Sequence, residues 1–223
     1  MLAAIALLFG IATAAYLLVQ VRKPSRYVGR LFISLMNRHH APLIEWGLRD
    51  LVIAPDAAVI DIGCGGGRSL ATLAARAPQG TVCGIDYADG SVAAARAGNA
   101  ALIAAGRVAV LQATVSQLPF PNRRFTLATA FETHYYWPDL RRDLAEVRRV
   151  LRPAGTLLLV AEASATETGV SAIEGLIMKA MRASYPSGQA LRAAMTDAGF
   201  EAVEVTTHPQ HRGWLKVFGC VPG

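Results

Sequence analysis

The sequence predicts an α/β chain built as one doubly wound sheet of seven strands, mostly parallel, finished by a C-terminal antiparallel hairpin and covered by helices on both faces. Three observations predict it. Short, continuously apolar runs alternate with segments whose apolar residues recur at helical spacing. A cluster of glycines follows the first such run. Only in the C-terminal third do runs alternate between apolar and polar, as strands with one solvated face do.

Taken in order, "AAVIDI" (57 to 62) reads as a strand buried on both faces, and Leu70, Leu73, Ala74 and Ala77 mark the helix after it. "TVCGID" is the second strand, followed by helical Ser91 to Ala105, and "RVAVLQA" is the third. "FTLATAF" precedes a helix carrying Leu140, Leu144, Val147 and Leu151, and "TLLLVAEA" follows it. Strands separated by helices in this way give a parallel, Rossmann-like sheet. A last helix runs from about Ser187 to Gly199, after which "FEAVEVT" and "GWLKVFGCV" form the hairpin at the far side of the sheet.

A chain of 223 residues, 53% hydrophobic, suits one well-cored domain. Its three cysteines are widely spaced and lack the pairing of a zinc site or a disulfide framework, which implies a reducing compartment. A net charge of +6 permits attraction to phosphates or anionic lipid without showing either. From Met1 to Val21 no side chain is charged, and Arg22, Lys23, Arg26 and Arg30 follow. About 20 helical residues cross the roughly 30 Å hydrocarbon core, so segment 1–21 is expected to be a single-pass membrane anchor. Residues 22–223 would then form the folded domain on the cytoplasmic face, since the basic residues lie on the C-terminal side of the run. The alternatives are an alanine-rich helix packed on the domain and a signal peptide, the latter disfavoured because its basic residues would come first.

In "VIDIGCGGG" (59 to 67) four glycines fill five positions. A glycine turn between first strand and helix lets a ligand approach the backbone where doubly wound sheets bind nucleotides. The dinucleotide spacing G-x-G-x-x-G does not fit in either register, because Arg68 or Leu70 takes the third slot, which argues against a dehydrogenase. Asp61, just before the turn, suits a cationic group better than a pyrophosphate. Asp86 ends the second strand about 20 residues on, where a carboxylate accepts ribose hydroxyls. The expected ligand carries an adenosine-like ribose and a positive charge.

These stretches, together with "SQLPF" (116 to 120), "FTLATAFETHYYWPDL" (125 to 140) and "EVRRVLRPAGTLLLVAE" (146 to 162), resemble the class I S-adenosylmethionine-dependent methyltransferases. The resemblance is nearest to the small-molecule branch that includes the quinone-biosynthesis enzymes, and covers roughly residues 24 to 223. It implies that Gly63, Gly65 and Gly67 form the turn under the methionine part of S-adenosylmethionine. Asp61 would order that turn or meet the amino group, and Asp86 would hold the ribose. The family's acidic residue near the third strand is replaced by Thr114, so adenine recognition falls to Val115 and Ser116. Phe131 and Glu132 fall beside the transferred methyl.

Because a sulfonium methyl is already activated, the protein's task is to position an acceptor in line, with a base where the acceptor must lose a proton. Glu132 and His134 are the candidate bases, although residues past a strand tip also cap helices and aromatics such as Tyr135, Tyr136 and Trp137 also pack cores. No metal is expected: adjacent His39 and His40 point to different faces of a helix. The expected partner is a small acceptor, apolar or lipid-like, since the N-terminal helix and Ala163 to Pro186 offer few polar anchors. Nucleic acid is not expected. Arg141, Arg142, Arg148, Arg149 and Arg152 keep a nucleic-acid methyltransferase open, but no Asn/Asp-Pro-Pro-Tyr or Pro-Cys motif follows the fourth strand. A catalytically silent donor-binding module at a membrane is the third alternative. Oligomeric state is not legible.

Overall fold

The computed structural model describes residues 33, 35–36, 38–162, 176, 183–211 and 213–223. Helix α1 (Ala41–Leu48) precedes β1 (Ala58–Ile62), α2 (Arg68–Arg76) and β2 (Thr81–Asp86). Then come α3 (Asp89–Gly98), α4 (Ala100–Ala104), β3 (Val108–Gln112) and β4 (Phe125–Phe131). A 3₁₀ turn (His134–Tyr136), α5 (Leu140–Val150), β5 (Leu151–Ala161), α6 (Gly188–Asp197), β6 (Glu201–Thr207) and β7 (Leu215–Cys220) complete the order.

The seven strands lie in the order β3-β2-β1-β4-β5-β7-β6. The first five are parallel, whereas β7 runs antiparallel to both β5 and β6. The predicted fold is therefore the observed one. Alternation along the buried strands splits the core into two layers. Ile60, Ala128, Leu157 and Leu159 meet Leu144 and Val147 of α5 and Leu191 and Met195 of α6. Val59, Leu127, Leu158 and Val160 meet Leu43 of α1, Leu70 and Leu73 of α2, and Ala95 of α3. Each strand thus serves both layers, which is why its sequence is apolar throughout instead of alternating.

Side-chain caps set the starts of α5 and α6. Asp139 accepts from the Arg142 amide at 3.1 Å, and Ser187 from the Ala190 amide at 3.2 Å. Two boundaries differ from expectation. The helix foreseen over Ser91 to Ala105 breaks at Asn99, whose side chain turns inward to donate to the carbonyls of Gly67 and Ala95. Strand β5 starts at Leu151, directly after α5, and pairs there with Phe125 before a bulge. Ala154, at φ 58°, takes up the extra residues.

The structure corrects the expectation of a single-pass anchor holding the domain to the cytoplasmic face of a membrane. Among the described residues no helix is long and apolar enough to cross a membrane. Helix α5, with 11 residues, reaches only about 16 Å and bears charge along its length. The run 1–21 that prompted the expectation, and the basic residues after it, lie outside the described residues.

Candidate active site

A cavity of about 240 Å³ opens at the carboxyl ends of β1, β2 and β4, where the strand order reverses direction between β1 and β4. Beyond β1 the chain folds back: the amides of Gly63 and Cys64 both donate to the Ile85 carbonyl, at 2.8 and 2.9 Å. Gly63, Gly65 and Gly67 all hold positive φ. They are glycines for different reasons. A Cβ on Gly63 would lie 2.0 Å from Thr133 Oγ1, and one on Gly67 2.9 Å from the Ala95 backbone, so these two let the turn close on its own protein. A Cβ on Gly65 would meet nothing within 4 Å. Gly65 alone of the three faces open space, and it lines the cavity, as Gly63 also does and Gly67 does not.

Asp61 is 1% exposed, its Oδ1 accepting from Thr129 Oγ1 at 2.6 Å and its Oδ2 from Ser69 Oγ. Burial pushes its carboxyl up to about 6, against the pull of those two hydroxyls. Asp86 accepts the Gly65 amide on Oδ2 at 3.0 Å and the Ala88 amide on Oδ1 at 2.9 Å. Burial raises its carboxyl too, the amides opposing. Two buried carboxylates flanking a glycine turn make an acceptor-only cradle, which fits a ligand offering hydroxyls and a cation. After β3, Ala113, Thr114 and Val115 line the cavity, whereas Ser116 is not among its lining residues.

Phe131 and Glu132 stand at the tip of β4 and line the cavity on its other side. Glu132 sits at φ 58°. Its Oε1 accepts Tyr135 Oη at 2.9 Å and also the Glu162 amide. Burial, then the neighbouring Glu162 charge, lift its carboxyl to about 7, with His40 pulling the other way. His134, two residues on, is not brought to the cavity. It is 3% exposed on the 3₁₀ turn, its ring 4.3 Å from that of Tyr135, and burial lowers it to about 3. Neither ring nitrogen has a hydrogen-bond partner among the described residues.

Sequence reasoning weighed His40 only as an unsuitable metal ligand and did not single out Glu162. His40 lines the cavity, and its Nε2 lies 3.8 Å from Glu162 Oε1. One donor atom each from His40, Glu132 and Glu162 fall within 4.8 Å of one another, but both carboxylates are already engaged, and no metal is assigned to them. The available signal was the pair "AFE" and "VAE": two strands of one parallel sheet, each ending in glutamate. Their register, Phe131 opposite Val160, sets the two carboxylates side by side. Ile33, Met36, Ile44, Tyr136 and Trp137 wall the rest of this end with apolar surface.

A family model described as a methyltransferase domain matches residues 59–155. O-methyltransferase cnsE of Penicillium expansum is 30% identical over 162 residues, 73% of this chain and 58% of its own. The chain spans about three fifths of the length of the curated relatives it matches first. Among solved structures, a methyltransferase in complex with the Haloferax volcanii Trm112 methyltransferase activator superposes with a TM-score of 0.75, at 21% identity, over 86% of this chain and 94% of that one. A geranyl diphosphate methyltransferase in complex with GPP and sinefungin gives 0.69 at 18% identity, over 82% and 78%. The matched segment runs from the strand that carries Asp61 to the start of β5, on a sheet of the same architecture, and so the chain belongs to the class I S-adenosylmethionine-dependent methyltransferases, whose cofactor is S-adenosylmethionine.

Proposed function

We propose that the protein transfers a methyl group from S-adenosylmethionine to a small, largely apolar acceptor. One observation carries the reading: a single cavity is lined by Asp61, Gly65 and Asp86, by Glu132 at the tip of β4, and by apolar Ile33, Met36, Ile44 and Trp137. The donor supplies an activated methyl when bound. Asp86 would hold the ribose hydroxyls, and Asp61, ionised beside a cation, would face the amino group or stiffen the turn through Ser69 and Thr129. Backbone at Val115 would meet the adenine, with Ser116 in a supporting place, and Phe131 would flank the methyl. Glu132 would take the acceptor's proton; His134 serves as packing under Tyr135.

The names of the curated relatives put oxygen first among acceptor atoms. The nucleic-acid alternative finds little support, because three of the four arginines on α5 are engaged within the protein. Arg141 pairs with Asp197 at 2.7 Å, Arg148 donates to the Gly199 carbonyl, and Arg149 holds Glu146 and the carbonyls of Leu118 and Phe120. Incubating the protein with methyl-labelled donor and a cell extract, then identifying the labelled product, tests the proposal. A labelled small molecule is expected; label confined to nucleic acid, or none despite tight donor binding, would overturn it.

A further inference from the structure

Glu132 and His40 line the cavity, and Glu162 stands beside them, a group of ionisable side chains separate from Asp61 and Asp86. Glu132 follows β4, Glu162 follows β5, and His40 precedes α1, so three separate elements converge there. Glu162 is held between His39 Nε2 at 3.1 Å and His40 Nε2 at 3.8 Å. Side-chain exposure rises from 17% at His40 through 28% at Glu162 to 69% at His39, which leads from the cavity wall to solvent. Tyr135 Oη donates to Glu132 from the 3₁₀ turn, and Tyr185, ahead of α6, packs on Tyr135 and feels both carboxylates. An apolar pocket gains nothing from such a group unless a proton has to be moved there.

We propose that Glu132, Glu162 and His40 act as one proton-accepting cluster, and that the acceptor it serves carries a hydroxyl on an apolar skeleton. The inference rests on the methyltransferase reading above. As the acceptor oxygen forms its bond to the methyl carbon, the carbon–sulfur bond breaks with its electron pair passing to sulfur. The hydroxyl proton goes to the Glu132 carboxylate and leaves through Glu162 and the histidines. Charge balances: sulfonium, carboxylate and alcohol become thioether, carboxylic acid and methyl ether. A neutral amine needs no base before attack, whereas a hydroxyl becomes a good nucleophile only as its proton departs. Glu132 is the catalytic residue of the three, and Glu162 and His40 are positioning residues. Burial and Glu162 raise the Glu132 carboxyl, and His40 lowers it, so the cluster's members act on Glu132 with opposite sign.

That opposition supplies the test. The full chain with isotope-labelled glutamate carboxylates, saturated with S-adenosylhomocysteine, is titrated by NMR, Glu132→Gln identifying the resonance. Glu162→Gln should move the Glu132 midpoint down and His40→Ala should move it up; a midpoint unmoved in both overturns the cluster. Should Glu162→Gln fail to fold, Glu162→Asp replaces it, with a smaller downward shift expected. With methyl-labelled donor and naphthol or naphthylamine as probes, label is expected on the naphthol oxygen. The rate should fall about tenfold or more in His40→Ala and recover in part with added imidazole. Transfer to the amine alone, no transfer to naphthol by protein that binds donor, or loss of transfer on adding EDTA would each overturn the proposal. Absence of S-adenosylhomocysteine binding would instead overturn the methyltransferase reading on which it rests.

Discussion

The amide of Gly65 donates to Asp86 Oδ2 at 3.0 Å across 21 residues of chain, tying the open glycine of the turn to the carboxylate that ends β2. Asp86 is therefore both a candidate ligand to the ribose and a strut for the loop. Asp86→Ala should weaken donor binding by roughly 1 to 3 kcal/mol, through lost charge-assisted hydrogen bonds. Calorimetry with S-adenosylhomocysteine measures it, and an unchanged affinity removes Asp86 from the site.

Gly65 and Gly67 should separate stability from binding. In Gly67→Ala the new methyl collides with the Ala95 backbone, so a marked drop in melting temperature is expected. Gly65→Ala meets no neighbour, costs only the roughly 1 to 2 kcal/mol of a left-handed alanine, and should lower donor affinity about tenfold. Equal losses of both properties in the two variants would refute the distinction.

Asp61→Asn should change how stability depends on pH. The ordinary carboxyl value is 3.8 and the folded value about 6, so folding favours the protonated form. The stability this contributes is full below about pH 4 and lost as pH rises through about 6, on the order of 3 kcal/mol. The variant lacks that loss, so its melting temperature should gain on wild type between about pH 4 and pH 8. A constant gap would show that the carboxyl is unperturbed. Donor affinity of the wild type should rise over the same interval, since a cationic ligand prefers the ionised form.

Glu132→Gln should lower turnover about a hundredfold while leaving donor affinity intact. The carboxyl of Glu132 sits at about 7, and the ionised form is the base. Wild-type turnover should climb as pH passes through about 7 and then level off, a rise that the variant lacks. Near-normal turnover in Glu132→Gln would leave the residue a structural role only.

Much of this was legible in the residues themselves. Apolar runs and helical spacing locate every strand, and strand ends place Asp61, Asp86 and Glu132 at one edge, because in a parallel sheet the carboxyl ends all face the same way. What periodicity does not carry is pairing. The adjacency of Glu132 to Glu162 depends on the register of β4 with β5, which the two glutamate-tipped strands signal only once they are known to be neighbours, and that of His40 on how α1 packs over Val160, which leaves no local trace. His134 misleads for a related reason: the 3₁₀ turn rotates it into the core two residues after the strand tip. Gly67 looks like a ligand glycine and serves a contact with α3. The anchor expected at 1–21 shows the opposite hazard, a composition read as a location.

Strand β7 is made after β6 yet lies between β6 and β5. During synthesis β6 emerges with no neighbour to join, since its only partner in the sheet is still to come. Until Leu215–Cys220 leaves the ribosome, β5 is an open edge lined with Leu157, Leu159 and other apolar side chains, a surface on which unfinished chains stick to one another. Closing the sheet thus waits for β7. The newborn protein has a vulnerable interval, in which a chaperone or rapid docking of β7 decides between folding and aggregation.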